Sequence, residues 1–221
     1  MKIPLAYPKI PDNSNCPLGK CFAFAKEDGT NLHFNWSLSD HWHKFGTRRT
    51  EFFFNKYGVE EFNKEHPGLE NAIDYFNYNV RDSLTSYLTK HHCDYDGVVT
   101  IFCEFFGPNS FAGQHSKEDA KNGNQKLVII DVSVNDKLLS PQQLIEDFNQ
   151  FGGIDIAKVI YKGKYDGQFT NDIRNGKYPV NEGVVCKGIV DGKVYMCKIK
   201  TNAYLKRLKT EFKDNWKDYW E

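Results

Sequence analysis

The stretch EGVVCKGIVDGKVYMCKIK, residues 182–200, reads as two apolar segments, Gly183 to Cys186 and Val194 to Ile199, folded about Asp191-Gly192. Asp-Gly is a favoured pair for the tight turn of a β-hairpin, whose two central residues need positive φ. An antiparallel ribbon is therefore expected here, and similar segments recur upstream. Cys21 to Ala25 and Leu32 to Trp36 have strand-like apolar content and flank KEDGTN, which places Lys26 to Asn31 on a turn or at strand ends. Val98 to Phe106 and Lys126 to Val134 are dense in β-branched and aromatic residues, and Ile154 to Tyr161 reads as a further strand.

Helices come from a different period. Leu69, Ile73, Phe76, Val80, Leu84, Tyr87 and Leu88 recur every three to four residues, which predicts one long amphipathic helix with its stripe in the core. Ser140, Pro141 and Gln143 supply a capping hydroxyl, a first-position proline and a capping-box amide before Leu144, Phe148 and Phe151, with Gly152-Gly153 as the stop. Phe169 to Asn175 reads as a short helix, and Leu205, Leu208 and Phe212 mark an amphipathic one. Strands mixed irregularly with helices, rather than alternating βαβ units, indicate an α+β fold of antiparallel β-sheets flanked by helices. No repeat, low-complexity tract or Gly/Ser/Pro-rich linker divides the chain, so residues 1–221 are expected to form a single domain.

With 40% hydrophobic and 15% aromatic residues, the chain can bury a full core, which excludes disordered and fibrous classes. Its longest apolar runs, such as Leu127 to Ile130, fall far short of the ~18 residues of a membrane span, and MKIPLAYPKIP lacks a positive-then-apolar leader. The expectation is a soluble protein that stays where it is made and engages no membrane. The 29 basic residues balance 29 acidic ones, yet basic residues at 193, 198, 200, 206, 207, 209, 213 and 217 face only Glu211 and Asp214. Such a strip suits phosphates or a solvated helix face. The cysteines at 16, 21, 93, 103, 186 and 197 form no CxxC pair, so neither a zinc knuckle nor a disulfide framework is indicated. A cytoplasmic or other reducing interior is the simplest home. His41 with His43, and His91-His92-Cys93, lack the partner spacing of a metal site.

Four charged segments sit at expected strand ends or turns. Lys26-Glu27-Asp28-Gly29-Thr30-Asn31 is an acidic-Gly turn beside a lysine. In IFCEFFG, Glu104 is the one ionisable group of an apolar strand, so it either faces water or meets a ligand hydroxyl. Glu182 opens EGVV, and Lys198 and Lys200 alternate onto one strand face. Two ammonium groups there need solvent or an anion between them.

In order, KEDGTN, Arg48-Arg49-Thr50, IFCEFFG, EGVV and KIK resemble the covalent nucleotidyltransferase superfamily of ATP-dependent DNA and RNA ligases and mRNA capping enzymes. The family signature begins KxDGxN, and Lys26, Asp28, Gly29 and Asn31 match it in full. The resemblance spans about residues 20 to 201. DNA ligases and capping enzymes carry an OB-fold module after the KxK segment, and the 21 residues after Lys200 leave no room for one. The opening YPKIP and the Arg49-Thr50 pair look most like ATP-dependent RNA ligases, in particular those that seal nicks in duplex RNA. Those relatives often add a helical C-terminal domain, which points to an accessory protein or domain acting in trans.

The resemblance implies three steps. The Lys26 amine attacks the α-phosphorus of ATP and releases pyrophosphate, AMP passes to an RNA 5′-phosphate, and an RNA 3′-hydroxyl then displaces AMP. A free lysine with pKa ~10.4 is mostly ammonium at neutral pH, so Lys198, Lys200 and a bound metal are expected to help it shed a proton. The two lysines would also hold the α-phosphate. By the same resemblance Glu104 accepts from ribose hydroxyls, Glu182 holds Mg²⁺ or Mn²⁺ with Asp28 assisting, and Arg49, or Arg48, contacts ribose or the RNA 5′-phosphate. Asn31 orients the leaving AMP or the end phosphate, and Gly29 completes the nucleotide-binding turn. The family's aromatic residue before the aspartate of the central strand is replaced by Ile130 before Asp131, so either an aliphatic cover or Phe22, Phe24 or Phe106 faces the base. The rival readings are a DNA ligase or GTP-dependent capping enzyme, and an inactive nucleic-acid-binding module of the same fold.

Overall fold

The computed structural model describes residues 5–91, 94–107, 125–148, 155–214 and 216. In chain order the elements are β1 (Lys20–Lys26), β2 (Thr30–Ser37), β3 (His41–Thr47), β4 (Glu51–Phe53), α1 (Lys56–Glu65), α2 (Glu70–Asn79), α3 (Arg81–Lys90), β5 (Val99–Phe106) and β6 (Lys126–Val134). Then follow β7 (Lys137–Leu138), α4 (Pro141–Phe148), β8 (Asp155–Ile156), β9 (Val159–Lys164), α5 (Gly167–Arg174), β10 (Gly183–Val190), β11 (Lys193–Lys200) and α6 (Asn202–Phe212). The fold is α+β as the sequence predicts. Its named ladders are antiparallel except the short pairing of β8 with β6. No helix among the described residues is long and apolar enough to cross a membrane.

The chain forms two compact units, one of residues up to Lys9, Gly29–Leu139 and Gln143–Ile156, the other of Ile10–Asp28, Ser140–Gln142 and everything from Ala157. In the first, strands run β4-β3-β2-β5-β6-β7. Aromatic side chains fill its core: the Phe34 and Phe76 rings stack at 3.8 Å, and Trp42 meets Phe76 edge-on at 5.0 Å. Phe76 comes from the predicted apolar stripe, whose Leu69, Ile73, Val80, Leu84 and Leu88 are buried as well. That stripe lies on two helices, not one. Val80, at φ −123° and ψ −45°, leaves helical geometry and separates α2 from α3. A buried β-branched residue keeps the apolar period intact across the break, so periodicity alone does not reveal it.

The second unit is the sheet β11-β10-β1-β9. One face carries Cys21, Ala23, Val184, Cys186, Cys197 and Ile199 and packs on Phe169 and Ile173 of α5. Asp166 caps that helix by accepting from the Phe169 N–H at 2.8 Å, an interaction worth about 1 kcal/mol. The hairpin turn is as expected, with Asp191 at φ 50° and Gly192 at φ 74°. Ile154 to Tyr161, expected as one strand, is two among its described residues. Asp155-Ile156 pairs with β6 in the first unit, and from Val159 the chain pairs with β1 in the second. Residues 151–154, with the Gly152-Gly153 stop, and His92-Cys93 lie outside the described residues.

Candidate active site

Alternation on three neighbouring strands builds the site in the second unit. The register sets Lys26 opposite Gly183 and Gly183 opposite Lys200, and next to that row Phe24 opposite Val185 and Val185 opposite Lys198. These residues share the sheet face opposite the α5 core. Between the two end lysines a side chain would be in the way. A Cβ on Gly183 would stand 2.0 Å from the Ile199 carbonyl oxygen, so only glycine lets β10 and β11 approach here.

Glu182 precedes that glycine, and its carboxylate holds both ends of the row. Lys26 Nζ lies 2.9 Å from one oxygen and Lys200 Nζ 3.1 Å from the other. The Glu182 side chain is 2% exposed, Lys200 4% and Lys26 21%, so the nucleophile candidate is the member open to solvent. Burial pushes the Lys200 ammonium below the usual lysine range and the Lys26 charge pushes the same way, while Glu182 opposes both. Among the named lysines, Lys198 is also buried, and its backbone N–H donates to the Pro11 carbonyl at 2.9 Å. Asp12, drawn down by hydrogen bonds from Ser14, lies within electrostatic reach of Lys198.

The start of α6 closes one side. The Thr201 N–H donates to the Glu182 carbonyl at 2.9 Å, its hydroxyl donates to the Asn181 carbonyl at 3.1 Å, and the same oxygen accepts from the Tyr204 N–H at 3.1 Å. One residue thus ties the first turn of the helix to the strand that carries Glu182. The tie fixes Tyr204, whose ring lies 5.0 Å from Lys200 Nζ and 5.1 Å from the Arg207 guanidinium carbon. Burial and the charges of Glu182 and Asp28 raise the Tyr204 hydroxyl far above the usual phenol range, and it hydrogen-bonds Asp28.

The remaining predicted residues belong to the first unit. Asn31 on β2 lies directly opposite Glu104 on β5. Its amide donates to the Cys103 carbonyl at 3.4 Å, and its buried Oδ1 meets no hydrogen-bond partner among the described residues. Gly29 is demanded by space: a Cβ there would fall 2.6 Å from the Phe105 carbonyl oxygen and 2.8 Å from Glu104 Cγ. Arg48 accepts at its carbonyl from the Ala6 N–H at 2.9 Å, and exposed Arg49 donates its N–H to Thr47 Oγ1 at 3.3 Å. Tyr7 hydrogen-bonds Asp131, and its hydroxyl is raised well above the phenol range by burial first, then by Asp131 and Glu104, with Arg48 opposing.

The structure therefore groups Lys26, Asp28, Glu182, Lys198 and Lys200 in one unit, and Gly29, Asn31, Arg48, Arg49 and Glu104 in the other. Of the candidates for covering a base, Phe24 is buried, whereas Phe22, Phe106 and Ile130 are half-exposed. Lys187, Tyr204 and Arg207 are additions the sequence reading misses. Lys187 is buried on the lysine face with Nζ 4.7 Å from the Phe24 ring centre, and strand alternation from Gly183 would find it. The other two become visible only once α6 is docked. The donor set, carboxylate oxygens of Glu182 and Asp28, suits a hard divalent cation, but both groups are engaged by side chains here.

No family profile and no curated protein sequence significantly matches the chain. Solved structures do match in fold. An RNA ligase from Naegleria gruberi with AMP and Mn aligns at TM-score 0.63 and 15% identity over 94% of this chain. A second structure of that ligase, with ATP and Mn, aligns at TM-score 0.63 and 16% identity, also over 94%. An archaeal ATP-dependent RNA ligase aligns at TM-score 0.55 and 15% identity over 93%. The chain spans 59% of the length of the two Naegleria chains and 51% of the archaeal one. At such identity the likeness establishes a shared fold.

Proposed function

We propose that the chain is the adenylyltransferase domain of an ATP-dependent RNA ligase, joining 5′-phosphate and 3′-hydroxyl RNA ends through a lysyl-AMP intermediate. The observation that carries this reading is the partly exposed Lys26 ammonium aligned with buried Glu182 and Lys200 across three strands. A lysine held among cations and one carboxylate suits attack on a polyphosphate better than on a neutral substrate.

In the resting arrangement Lys26 donates to Glu182, so its lone pair is not available. ATP phosphate oxygens accept from Lys198 and Lys200, and Lys26, which is partly exposed, leaves the carboxylate and passes its proton to solvent water. The Lys26 nitrogen then bonds to the α-phosphorus as the bond to pyrophosphate breaks. In the second step a 5′-phosphate oxygen of RNA attacks that phosphorus, the P–N bond breaks and the amine is restored. In the third, a 3′-hydroxyl oxygen attacks the 5′-phosphorus and AMP departs. Lys198 and Lys200 offset charge on the reacting phosphate in the first two steps. Asn31, with an uncommitted buried carbonyl, takes a donor from the nucleotide or the RNA end. Glu104 takes the ribose hydroxyls, and Arg48 and Arg49 take ribose or end phosphate. Mg²⁺ or Mn²⁺, held by Glu182 and Asp28, would supply charge neutralisation at the phosphates.

The test is incubation with α-labelled ATP and Mg²⁺ followed by denaturing electrophoresis. Label on the chain that is lost in Lys26→Ala supports the reading. Label from GTP instead would indicate capping chemistry, and no label from either would favour a binding module. Nicked RNA, single-stranded RNA and DNA ends then separate the substrates.

A further inference from the structure

On the sheet face opposite the lysines, the second unit carries a line of four thiols. Cys197 Sγ lies 2.8 Å from Cys16 Sγ and 3.6 Å from the Tyr165 hydroxyl. Cys186, opposite Cys197 in the β10–β11 register, hydrogen-bonds it and also Cys21. Cys21, Cys186 and Cys197 are buried, and Cys16 is the half-exposed end of the line. No group of three or more His, Cys, Asp or Glu among the described residues can hold a metal ion, so metal binding does not explain the cluster. The Cys16–Cys197 separation is well inside the ~3.6 Å van der Waals contact of two sulfurs, and closing it to a ~2.05 Å bond needs under ~1 Å of movement.

We propose that Cys16 and Cys197 form a reversible thiol–disulfide exchange site whose co-substrate is a small-molecule disulfide, with Cys16 the accessible thiol and Cys197 the resolving one. Cys16, as thiolate, attacks one sulfur of the small disulfide, giving a mixed disulfide and releasing one small thiolate. The Cys197 thiolate then attacks the Cys16 sulfur, the intramolecular bond forms, and the second small thiolate leaves. Two protein thiols are oxidised, the small disulfide is reduced to two thiols, and the two protons pass to those products.

Chemistry orders the steps. Burial pushes the Cys16 thiol up to about 11, so the first attack is slow. Cys197 Sγ is already in contact with Cys16 Sγ, so the resolving step needs no search once the mixed disulfide has formed. The bond would span 181 positions of sequence and pin the segment before β1 to the strand that carries Lys198.

The experiment treats the full chain with glutathione disulfide, blocks remaining thiols with N-ethylmaleimide, and reads intact and peptide masses. The wild type should become two hydrogen masses lighter before blocking, with a mapped Cys16–Cys197 link that dithiothreitol reverses. Its melting midpoint should rise by about 5–15 °C. Cys197→Ser should halt with one glutathionyl group on Cys16. Cys16→Ser, at the half-exposed position and therefore safe for folding, should give neither product. Full alkylation of Cys16 and Cys197 after treatment, a link through Cys186 or Cys21 instead, or a wild type that stops at the mixed disulfide would each overturn the proposal.

Discussion

Removing the Glu182 carboxylate should both unseat the sheet and silence the site. Each of its oxygens faces an ammonium, at 2.9 Å and 3.1 Å. At an effective dielectric of ~20 each contact has a gross attraction of about 5–6 kcal/mol, most of it cancelled by the cost of burying the charges. What remains is the asymmetry of breaking the set: Glu182→Ala strands a nearly fully buried Lys200 beside Lys26. The expected loss is about 3–5 kcal/mol, a large part of the ~5–15 kcal/mol that stabilises a domain. With a urea slope near ~3 kcal/mol/M, the midpoint followed by circular dichroism should fall by about 1–1.7 M at constant slope. Adding Lys200→Met removes the stranded cation, so the double variant should recover at least ~1.5 kcal/mol relative to additivity. A Glu182→Ala midpoint within ~0.3 M of the wild type, or strictly additive single changes, would refute the claim that this carboxylate is the electrostatic hub.

Lys200→Ala should cut adenylylation at least about a hundredfold while Lys200→Arg retains charge with altered geometry, both read by label transfer from α-labelled ATP. Gly29→Ala should cost about 1–3 kcal/mol and weaken nucleotide binding, because its methyl would collide with the Phe105 carbonyl and Glu104, checked by melting and ATP titration. Lys200 is held below the usual lysine range, so between its lowered native value and ~10.4 the unfolded chain binds more protons, and stability should rise with pH across that window. Denaturation midpoints of Lys200→Met against wild type should show the slope flattened. Buried His33, also lowered by desolvation, has the same sign at lower pH: stability should fall as pH drops through ~6.5 toward its native value, and His33→Gln should blunt that fall.

What was legible in the sequence followed from local rules. Asp191-Gly192 announces its hairpin because few residues accept positive φ, and period two then puts Lys198 and Lys200 on one face without further information. The KxDG glycine and the EGVV glycine stand where backbones approach too closely for a side chain, which is why those motifs survive translation into geometry. The break at Val80 is hidden because the apolar stripe continues through it. The division of 154–161 is hidden because β-branched content reports a strand and not which sheet it joins. The role of Tyr204 depends on Thr201 bonding both ways, a tertiary fact that no spacing encodes. The sequence reading also assigns no element to the aromatic-rich 41–66 region, which holds β3, β4 and α1.

The grip of Glu182 on Lys26 has a chemical corollary for the protein at rest. An amine kept cationic and clasped is a poor target for aldehydes, active esters and other stray electrophiles, although its side chain reaches solvent. On the function proposed above, a nucleotide would compete for the carboxylate's partners and unmask the group. Covalent probes that capture free amines should thus bypass Lys26 in the bare chain and capture exposed surface lysines first.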